Sequence, residues 1–104
     1  MEDAFLQKIR AVVEAHLSDT DFEMPQLERA LGMSRSQIFR KVRALTGRSP
    51  SLYMRSVRLH RAKELLQTTR MSVSEIAYEV GFATPAYFST AFQEEFGAPP
   101  SAIR

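Results

Sequence analysis

Apolar residues recur at intervals of three and four along most of this chain, and glycine, proline or small polar residues separate the segments. The first segment predicts an amphipathic helix from about Asp3 to Leu17. Its apolar positions are Phe5, Leu6, Ile9, Val12, Val13 and Leu17. No segment alternates β-branched and polar residues, which is the pattern of a half-buried strand. The chain is therefore predicted to be all-α.

Residues 25–50 carry the pattern of two short helices joined by a tight turn. Gly32 can adopt the positive φ that ends the first helix, and Ser34 can cap the second by accepting a backbone N–H. Gly47 and Pro50 then end that second helix. Two helices around a glycine turn form a helix-turn-helix, whose second helix enters the major groove of DNA.

The second helix of this pair is predicted to have an apolar back and a cationic front. At about 100° per residue, one stripe holds Ile38, Val42 and Leu45. The opposite face and its borders hold Arg35, Ser36, Phe39, Arg40 and Arg43. A helix with these two faces is suited to bind a negatively charged surface.

A longer helix is predicted from Pro50 to about Gln67, with apolar residues on several sides. Because such a helix is buried on several sides, it is predicted to join two lobes and to contact both. Its basic residues allow two roles. Arg55, Arg58 and Arg61 either contact the DNA backbone between two binding sites or hold the lobes together.

The last third of the chain repeats the first. Met24, Leu27, Leu31, Gly32 and Met33 recur 49 residues later as Val73, Ile76, Val80, Gly81 and Phe82. With an offset of 50, Ser34, Ile38, Val42, Gly47 and Pro50 correspond to Thr84, Phe88, Phe92, Gly97 and Pro100. The repeat predicts one domain, residues 1–104, that contains a first helix-turn-helix subdomain (1–48), a linker helix (49–68) and a second helix-turn-helix subdomain (69–104).

The formal net charge of +2 conceals an uneven distribution. No Asp or Glu lies between Glu28 and Glu64, a stretch that holds ten basic residues. The rest of the chain holds all twelve acidic residues and four basic ones, a net charge of −8. A solvated structural face usually mixes both signs, because opposite charges four residues apart stabilise a helix. The basic stretch therefore favours a nucleic acid as the partner.

The sequence lacks the residues that enzymes and metal-binding proteins usually require. The chain has no Cys, two His and no Gly-rich phosphate loop, and His60 with Glu64 is too small a set to hold a metal ion. We therefore expect no enzymatic activity, no cofactor and no metal. The apolar runs are far shorter than the ~20 residues of a membrane span, and no signal-peptide pattern is present. We expect a cytoplasmic, nucleoid-associated protein without membrane contact.

The chain resembles the DNA-binding domain of the AraC/XylS family of bacterial transcription regulators over essentially its whole length. The matching stretches are GMSRSQIFRKV (32–42), LTGRSP (45–50), RL (58–59), RAK (61–63), LL (65–66), SEIA (74–77), VGF (80–82), YFS (87–89), Phe92 and EFGAPPS (95–101). The resemblance implies about seven helices in two homeodomain-like helix-turn-helix subdomains joined by a linker helix. It also implies that the two subdomains bind adjacent major-groove segments on one face of double-stranded DNA.

On the first recognition helix, Arg40 is predicted to pair with guanine through its guanidinium, with phosphate contact as the alternative. Arg35 is predicted to contact phosphate, and Ser36 and Gln37 to contact bases or phosphates. Phe39 either packs at the edge of the core or contacts a thymine methyl group.

Three further cations, Lys41, Arg43 and Arg48, are predicted to supply general attraction to DNA. The second recognition helix departs from the family pattern, because no basic residue lies between Met71 and Ile103. Hydroxyl and methyl contacts to DNA are predicted there from Ala86, Tyr87, Ser89 and Thr90. The first recognition helix is therefore predicted to dominate binding.

The resemblance also implies partners beyond DNA. RNA polymerase is one, and a covalently linked sensor or receiver domain is another, since FLQKI (5–9) and ALTGRSP (44–50) look most like versions fused to two-component proteins. A free-standing small activator is an alternative. A helical protein-interaction module is an alternative of another class, with the surfaces around Glu75, Glu79, Glu94 and Glu95 as binding sites.

Overall fold

The computed structural model describes residues 3–104, so Met1 and Glu2, where the predicted first subdomain begins, lie outside the described residues. The described chain forms α1 (Ala4–Ala15), α2 (Met24–Leu31), α3 (Arg35–Thr46), α4 (Pro50–Thr68), α5 (Val73–Glu79), α6 (Pro85–Phe96) and α7 (Pro100–Ile103). No β-strand occurs within residues 3–104. The predicted all-α class with seven helices is confirmed.

Helix α1 is shorter than the sequence predicts. Asp3 caps its N-terminus by accepting a hydrogen bond from the Phe5 N–H at 2.7 Å, and His16 ends it. Leu17 lies beyond the helix and packs against the core formed with α5 and α6. The prediction that α1 reaches Leu17 was wrong because this residue continues the apolar spacing of α1 but belongs to a different core.

The chain divides into two compact units, and each is built from two separate segments of the sequence. The first contains the described residues up to His16 and Asp21–Val57, and the second contains Leu17–Thr20 and Arg58–Arg104. The segment Leu17–Thr20, between α1 and α2 in sequence, therefore packs with the second unit. Helix α4 contributes its first residues to one unit and the rest to the other.

The core of the first unit joins α1, α2, α3 and the start of α4. The side chains there without exposed surface are Ile9, Val13, Leu27, Ile38 and Val42. Full burial of one such aliphatic side chain contributes about 1.5–3 kcal/mol. Leu45, which the sequence places on the apolar stripe of α3, and Leu52 of α4 are each 44% exposed because they flank the α3–α4 turn outside this core.

Aromatic side chains of α6 dominate the core of the second unit. Phe88 and Phe92 have no exposed surface, and their ring centroids are 5.7 Å apart. Phe82 lies 5.3 Å from Phe88, and Phe96 lies 4.6 Å from Phe92. Helix α5 packs on α6 as α2 packs on α3, so the repeat seen in the sequence is a repeat of helix pairs.

Arg58 is a buried cation in the second unit, with 7% of its surface exposed. Its guanidinium donates to the backbone carbonyl of Leu17, to that of Asp19 at 3.2 Å and to that of Val80 at 2.9 Å. Carbonyl acceptors of this kind offset part of the cost of burying a charged group. Arg58 therefore organises the backbone of its own unit, and its burial contradicts the phosphate-contact alternative for this residue.

A substitution at Gly81 tests the packing of the Arg58 guanidinium against the backbone. Its φ of +88° is in the left-handed region, and an added Cβ would overlap the Arg58 guanidinium and the Leu17 carbonyl oxygen. Gly81→Ala should lower the free energy of unfolding by roughly 2–5 kcal/mol, because the left-handed backbone costs about 1–2 kcal/mol and overpacking adds about 1–3 kcal/mol. Urea unfolding followed by circular dichroism measures the loss.

Gly32→Ala is the matched control for that substitution. Gly32 also has a left-handed φ, +64°, but an added Cβ would meet nothing within 4 Å. Its substitution should cost only the backbone contribution of about 1–2 kcal/mol. Equal losses for the two variants would contradict the role assigned to the packing of Arg58.

The start of α5 predicts a pH dependence. Ser72 and Glu75 form a capping box, in which the Ser72 N–H donates to Glu75 Oε1 at 3.1 Å and the Glu75 N–H donates to Ser72 Oγ at 3.0 Å. Hydrogen bonds from the Ser72 backbone and then from its side chain lower the pKa of the Glu75 carboxyl below its ordinary value. The stabilisation is therefore present above the unfolded pKa and is lost as the pH falls through the folded pKa.

We expect the wild-type chain to be more stable than Glu75→Gln at about pH 7 and the difference to vanish in acid, below the folded pKa. The glutamine keeps an oxygen that can accept from Ser72 but cannot titrate. Urea midpoints of the two proteins across this pH range measure the effect. A difference that stays constant with pH would rule out the ionised carboxylate as its source.

Candidate nucleic-acid interface

The N-terminus of α3 is fixed by a capping box between Ser34 and Gln37. The Gln37 N–H donates to Ser34 Oγ at 3.2 Å, and the Ser34 N–H donates to Gln37 Oε1 at 2.9 Å. The amide oxygen of Gln37 is therefore engaged, and its amide nitrogen keeps the donors available to a ligand. Sequence reasoning named Gln37 as a base or phosphate contact but missed this capping role, although Ser and Gln three residues apart are its signature.

The remaining predicted residues of α3 lie on its solvent-facing surface. Those classed as exposed are Arg35, Ser36, Gln37, Phe39, Arg40 and Arg43. Ile38 and Val42, on the opposite face, have no exposed surface. Because the apolar pair is anchored in the core, the guanidinium groups of Arg40 and Arg43 are held on one outward face. We refer to the six exposed residues listed above as the α3 face.

Phe39 has 45% of its surface exposed. This exposure leaves much of the ring available to a ligand, as the thymine-contact alternative requires. Its two sequence neighbours differ sharply from each other, since Ile38 is fully buried and Arg40 is exposed. Phe39 therefore lies at the border between the core and the α3 face, as its position in the helical pattern predicts.

Two cations near the α3 face have partners within the first unit. Arg35 Nε lies 3.9 Å from Glu28 Oε2, and both side chains are partly exposed, so this pair is worth at most about 1 kcal/mol. Lys41 Nζ lies 4.5 Å from the centroid of the Phe5 ring in α1. Lys41 is thus directed toward α1 and is less well placed than Arg40 to reach a ligand on the α3 face.

Arg48 follows the end of α3 in an ordered turn. Its backbone N–H donates to Thr46 Oγ1 at 3.0 Å, and the same hydroxyl donates to the Val42 carbonyl at 2.8 Å. The residue is exposed. These hydrogen bonds place Arg48 on the surface at the C-terminal end of the first recognition helix.

The second recognition helix, α6, has a different surface. Thr84 caps it by accepting from the Tyr87 N–H at 3.1 Å. Ala86, Tyr87 and Thr90 are exposed, whereas Ser89 is half-buried. The structure therefore presents three of the four predicted residues on the solvent side of α6 and draws the fourth partly toward the core.

Four of the five cations of the second unit have internal contacts, and the fifth, Arg70, is exposed. Arg61 Nη1 pairs with Glu64 Oε2 at 3.0 Å, and Lys63 Nζ lies 5.0 Å from the centroid of the Phe96 ring. Arg104 donates to the backbone carbonyls of Leu66 and Thr69 at 3.3 and 3.0 Å. With Arg58 buried, few positive charges in this unit are positioned to attract a polyanion.

The formal net charge of the first unit is positive and that of the second is negative, in agreement with the exposed cations of the first unit. Among the described residues, the first unit has nine basic and five acidic residues, a net charge of +4, and the second has five basic and six acidic residues, a net charge of −1. Within residues 3–104, no cluster of three or more His, Asp or Glu residues could hold a metal ion. None of the helices described combines the length and apolar character needed to cross a bilayer.

Comparisons with known proteins agree with this geometry. The family described as "Helix-turn-helix domain" matches residues 27–104. Histidine kinase P4 of Formosa agariphila is 36% identical over 101 residues, which are 97% of this chain but 7% of that protein. The chain therefore spans only a small part of this curated relative.

Solved structures extend the likeness to the whole fold. The C-terminal domain of AraT, a response regulator from Geobacillus stearothermophilus, is 29% identical and matches with a TM-score of 0.83 over 98% of this chain and 84% of that one. The DNA-binding domain of the global transcriptional factor AdpA, solved with a target DNA, is 32% identical, with a TM-score of 0.81 over 93% of this chain and 86% of that one.

The family match covers three quarters of the chain, and the observed fold contains both helix pairs that the resemblance implies. The described helices also superpose on AraC-type domains over nearly their full extent. The chain therefore belongs to the AraC-type family of helix-turn-helix DNA-binding domains found in bacterial transcription regulators.

Proposed function

We propose that this chain binds a specific sequence in double-stranded DNA through α3 and α6, that the α3 face supplies most of the affinity, and that the chain is the output domain of a longer regulator. The observation that carries the proposal is the exposed row of Arg35, Arg40 and Arg43 on a helix whose opposite side holds two apolar residues without exposed surface. The complex of the AdpA domain with its target DNA supports double-stranded DNA as the partner.

The residues of the first unit divide naturally between base and phosphate contacts. Arg40 lies near the middle of α3 and is exposed, so its planar guanidinium suits a guanine edge in the major groove. Arg35 and Arg43 lie toward the ends of α3 and Arg48 follows its C-terminal end, where contacts to the two flanking strands position the protein. Ser36, in the first turn, is next to backbone N–H groups that favour an anion.

The second recognition helix contributes less attraction in this proposal. It has no basic residue, and its unit has a formal charge of −1. Since neutralised phosphates supply much of the affinity of DNA-binding proteins, α6 adds selectivity to binding that α3 establishes. Two unlike helices on one chain also require an asymmetric binding site.

The comparisons support an output role within a larger protein. The chain matches only 7% of a histidine kinase and most of the C-terminal domain of a response regulator. We assign sensing and catalytic steps to linked sensor or receiver domains, and no catalytic step to this chain. As a transcription regulator it acts beside RNA polymerase on the bacterial chromosome, in the cytoplasm.

The contributions of the two recognition helices can be compared with single substitutions. Arg40→Ala should weaken binding to a duplex selected from random DNA roughly tenfold or more, because one good bidentate contact is worth about 1–3 kcal/mol. Thr90→Ala should weaken it about fourfold or less, the value of one buried methyl group. Fluorescence anisotropy titrations measure both, and Lys41→Ala is the control for loss of a nearby charge. An equal or larger loss for Thr90→Ala would overturn the dominance of α3.

Salt dependence tests whether the interaction is electrostatic. The affinity for random duplex DNA should fall steeply with salt, by about 0.9 log units per log unit of salt for each phosphate neutralised. Arg43→Gln should reduce this slope by about 0.9, because one phosphate contact is lost. Gln93→Lys, at an exposed position of α6, should raise the affinity because it gives this helix a positive charge. Absence of any binding at low salt would instead favour the protein-interaction module.

A further inference from the structure

The first half of α6 presents methyl groups, an aromatic ring and a hydroxyl group to solvent, and the exposed residues of its second half are Gln93 and Glu94. Ala86 and Thr90 lie four residues apart on the same helix face, and Tyr87 lies beside Ala86 with 52% of its surface exposed. No Lys or Arg occurs between Met71 and Ile103. This face therefore lacks the guanidinium and ammonium groups that recognise guanine or phosphate.

The hydroxyl group of Thr90 is engaged with its own helix. Its Oγ1 donates to the Ala86 carbonyl at 3.2 Å, so the hydroxyl hydrogen is used by the backbone. The oxygen can still accept a hydrogen bond, and the γ-methyl group is the remaining apolar part of this exposed side chain. Thr90 can thus contact a base edge either through this methyl group or as an acceptor.

The neighbouring groups hold this face in a defined position. The Tyr87 ring lies 5.4 Å from the ring of buried Phe82, between centroids, and the Tyr87 N–H donates to the Thr84 cap. Phe88, the next residue, is fully buried in the core. A rigid apolar surface loses little conformational entropy on binding, so small differences in the shape of a ligand can be discriminated.

Among the base edges of the major groove, thymine alone carries an apolar group, the C5-methyl group. We infer that α6 selects thymine by packing Ala86 and the γ-methyl group of Thr90 against C5-methyl groups. This inference rests on the proposed function, since it requires α6 to lie in the major groove. It assigns to the second unit a sequence preference that needs no cation.

Deoxyuridine tests the inference because it differs from thymidine only in the missing C5-methyl group. A duplex selected by the wild-type chain from random DNA is resynthesised with each thymidine in turn replaced by deoxyuridine. At one or more positions the affinity should fall about threefold to fourfold, the value of one buried methyl group. The substitution leaves base pairing and the O4 acceptor unchanged.

Two variants of Thr90 identify which of these positions α6 reads. Thr90→Ser removes the γ-methyl group and keeps the hydroxyl, so it should bind the thymidine and deoxyuridine duplexes equally at those positions. Thr90→Val keeps the γ-methyl group and replaces the hydroxyl with a second methyl group, so it should still discriminate. Arg40→Ala is the matched control, because it should weaken binding to both duplexes by the same factor. Thermal unfolding of each variant verifies that this exposed position leaves the fold intact.

The outcomes separate this inference from the proposed function. Discrimination that survives in Thr90→Ser but disappears in Thr90→Val would show that the hydroxyl is the reading group and would overturn the inference. Binding of the selected duplex without any Thr90-dependent position would overturn it too, while leaving DNA binding through α3 intact. Absence of binding to duplex DNA at low salt would overturn both.

Discussion

Both recognition helices depend on the burial of two apolar residues one turn apart. Ile38 and Val42 anchor α3, and Phe88 and Phe92 anchor α6; none of the four has exposed surface. Because residues four apart share a helix face, this pair determines which way every other side chain of the helix points. A polar substitution within either pair would disturb the core and the exposed face together, so stability and recognition are coupled through the same residues.

The two faces that this common constraint produces are chemically different. The α3 face carries guanidinium groups, whereas the exposed side of α6 carries methyl groups, an aromatic ring, hydroxyl groups, an amide and a carboxylate, and no cation. Helix capping accompanies both: Ser34 and Thr84 each accept a backbone N–H at the start of their helix. One structural plan thus presents a cationic surface in one unit and a surface without cations in the other, and the proposed division between attraction and discrimination rests on this difference.

Arg58 shows why a count of cations overstates the charge available to a ligand. It belongs to the basic stretch between Glu28 and Glu64, yet its guanidinium is buried against three backbone carbonyls. The close approach of these groups leaves no room for a side chain at position 81, where the backbone is left-handed and the residue is glycine. Arg61 and Lys63 are likewise occupied by an acidic and an aromatic neighbour.

Local chemistry by itself determined the helices, their caps and the repeat, because apolar spacing, Gly32 and the N-cap residues act over only a few positions. It also determined the buried and exposed faces of α3 apart from Leu45. Only the tertiary structure decided that Leu17 leaves α1 for another core, that Leu45 and Leu52 are exposed and that Arg58 is buried. These outcomes depend on residues as far as 41 positions away, such as the Leu17 carbonyl that accepts from Arg58. Helical periodicity cannot predict such partners, because they depend on how distant segments of the chain pack together.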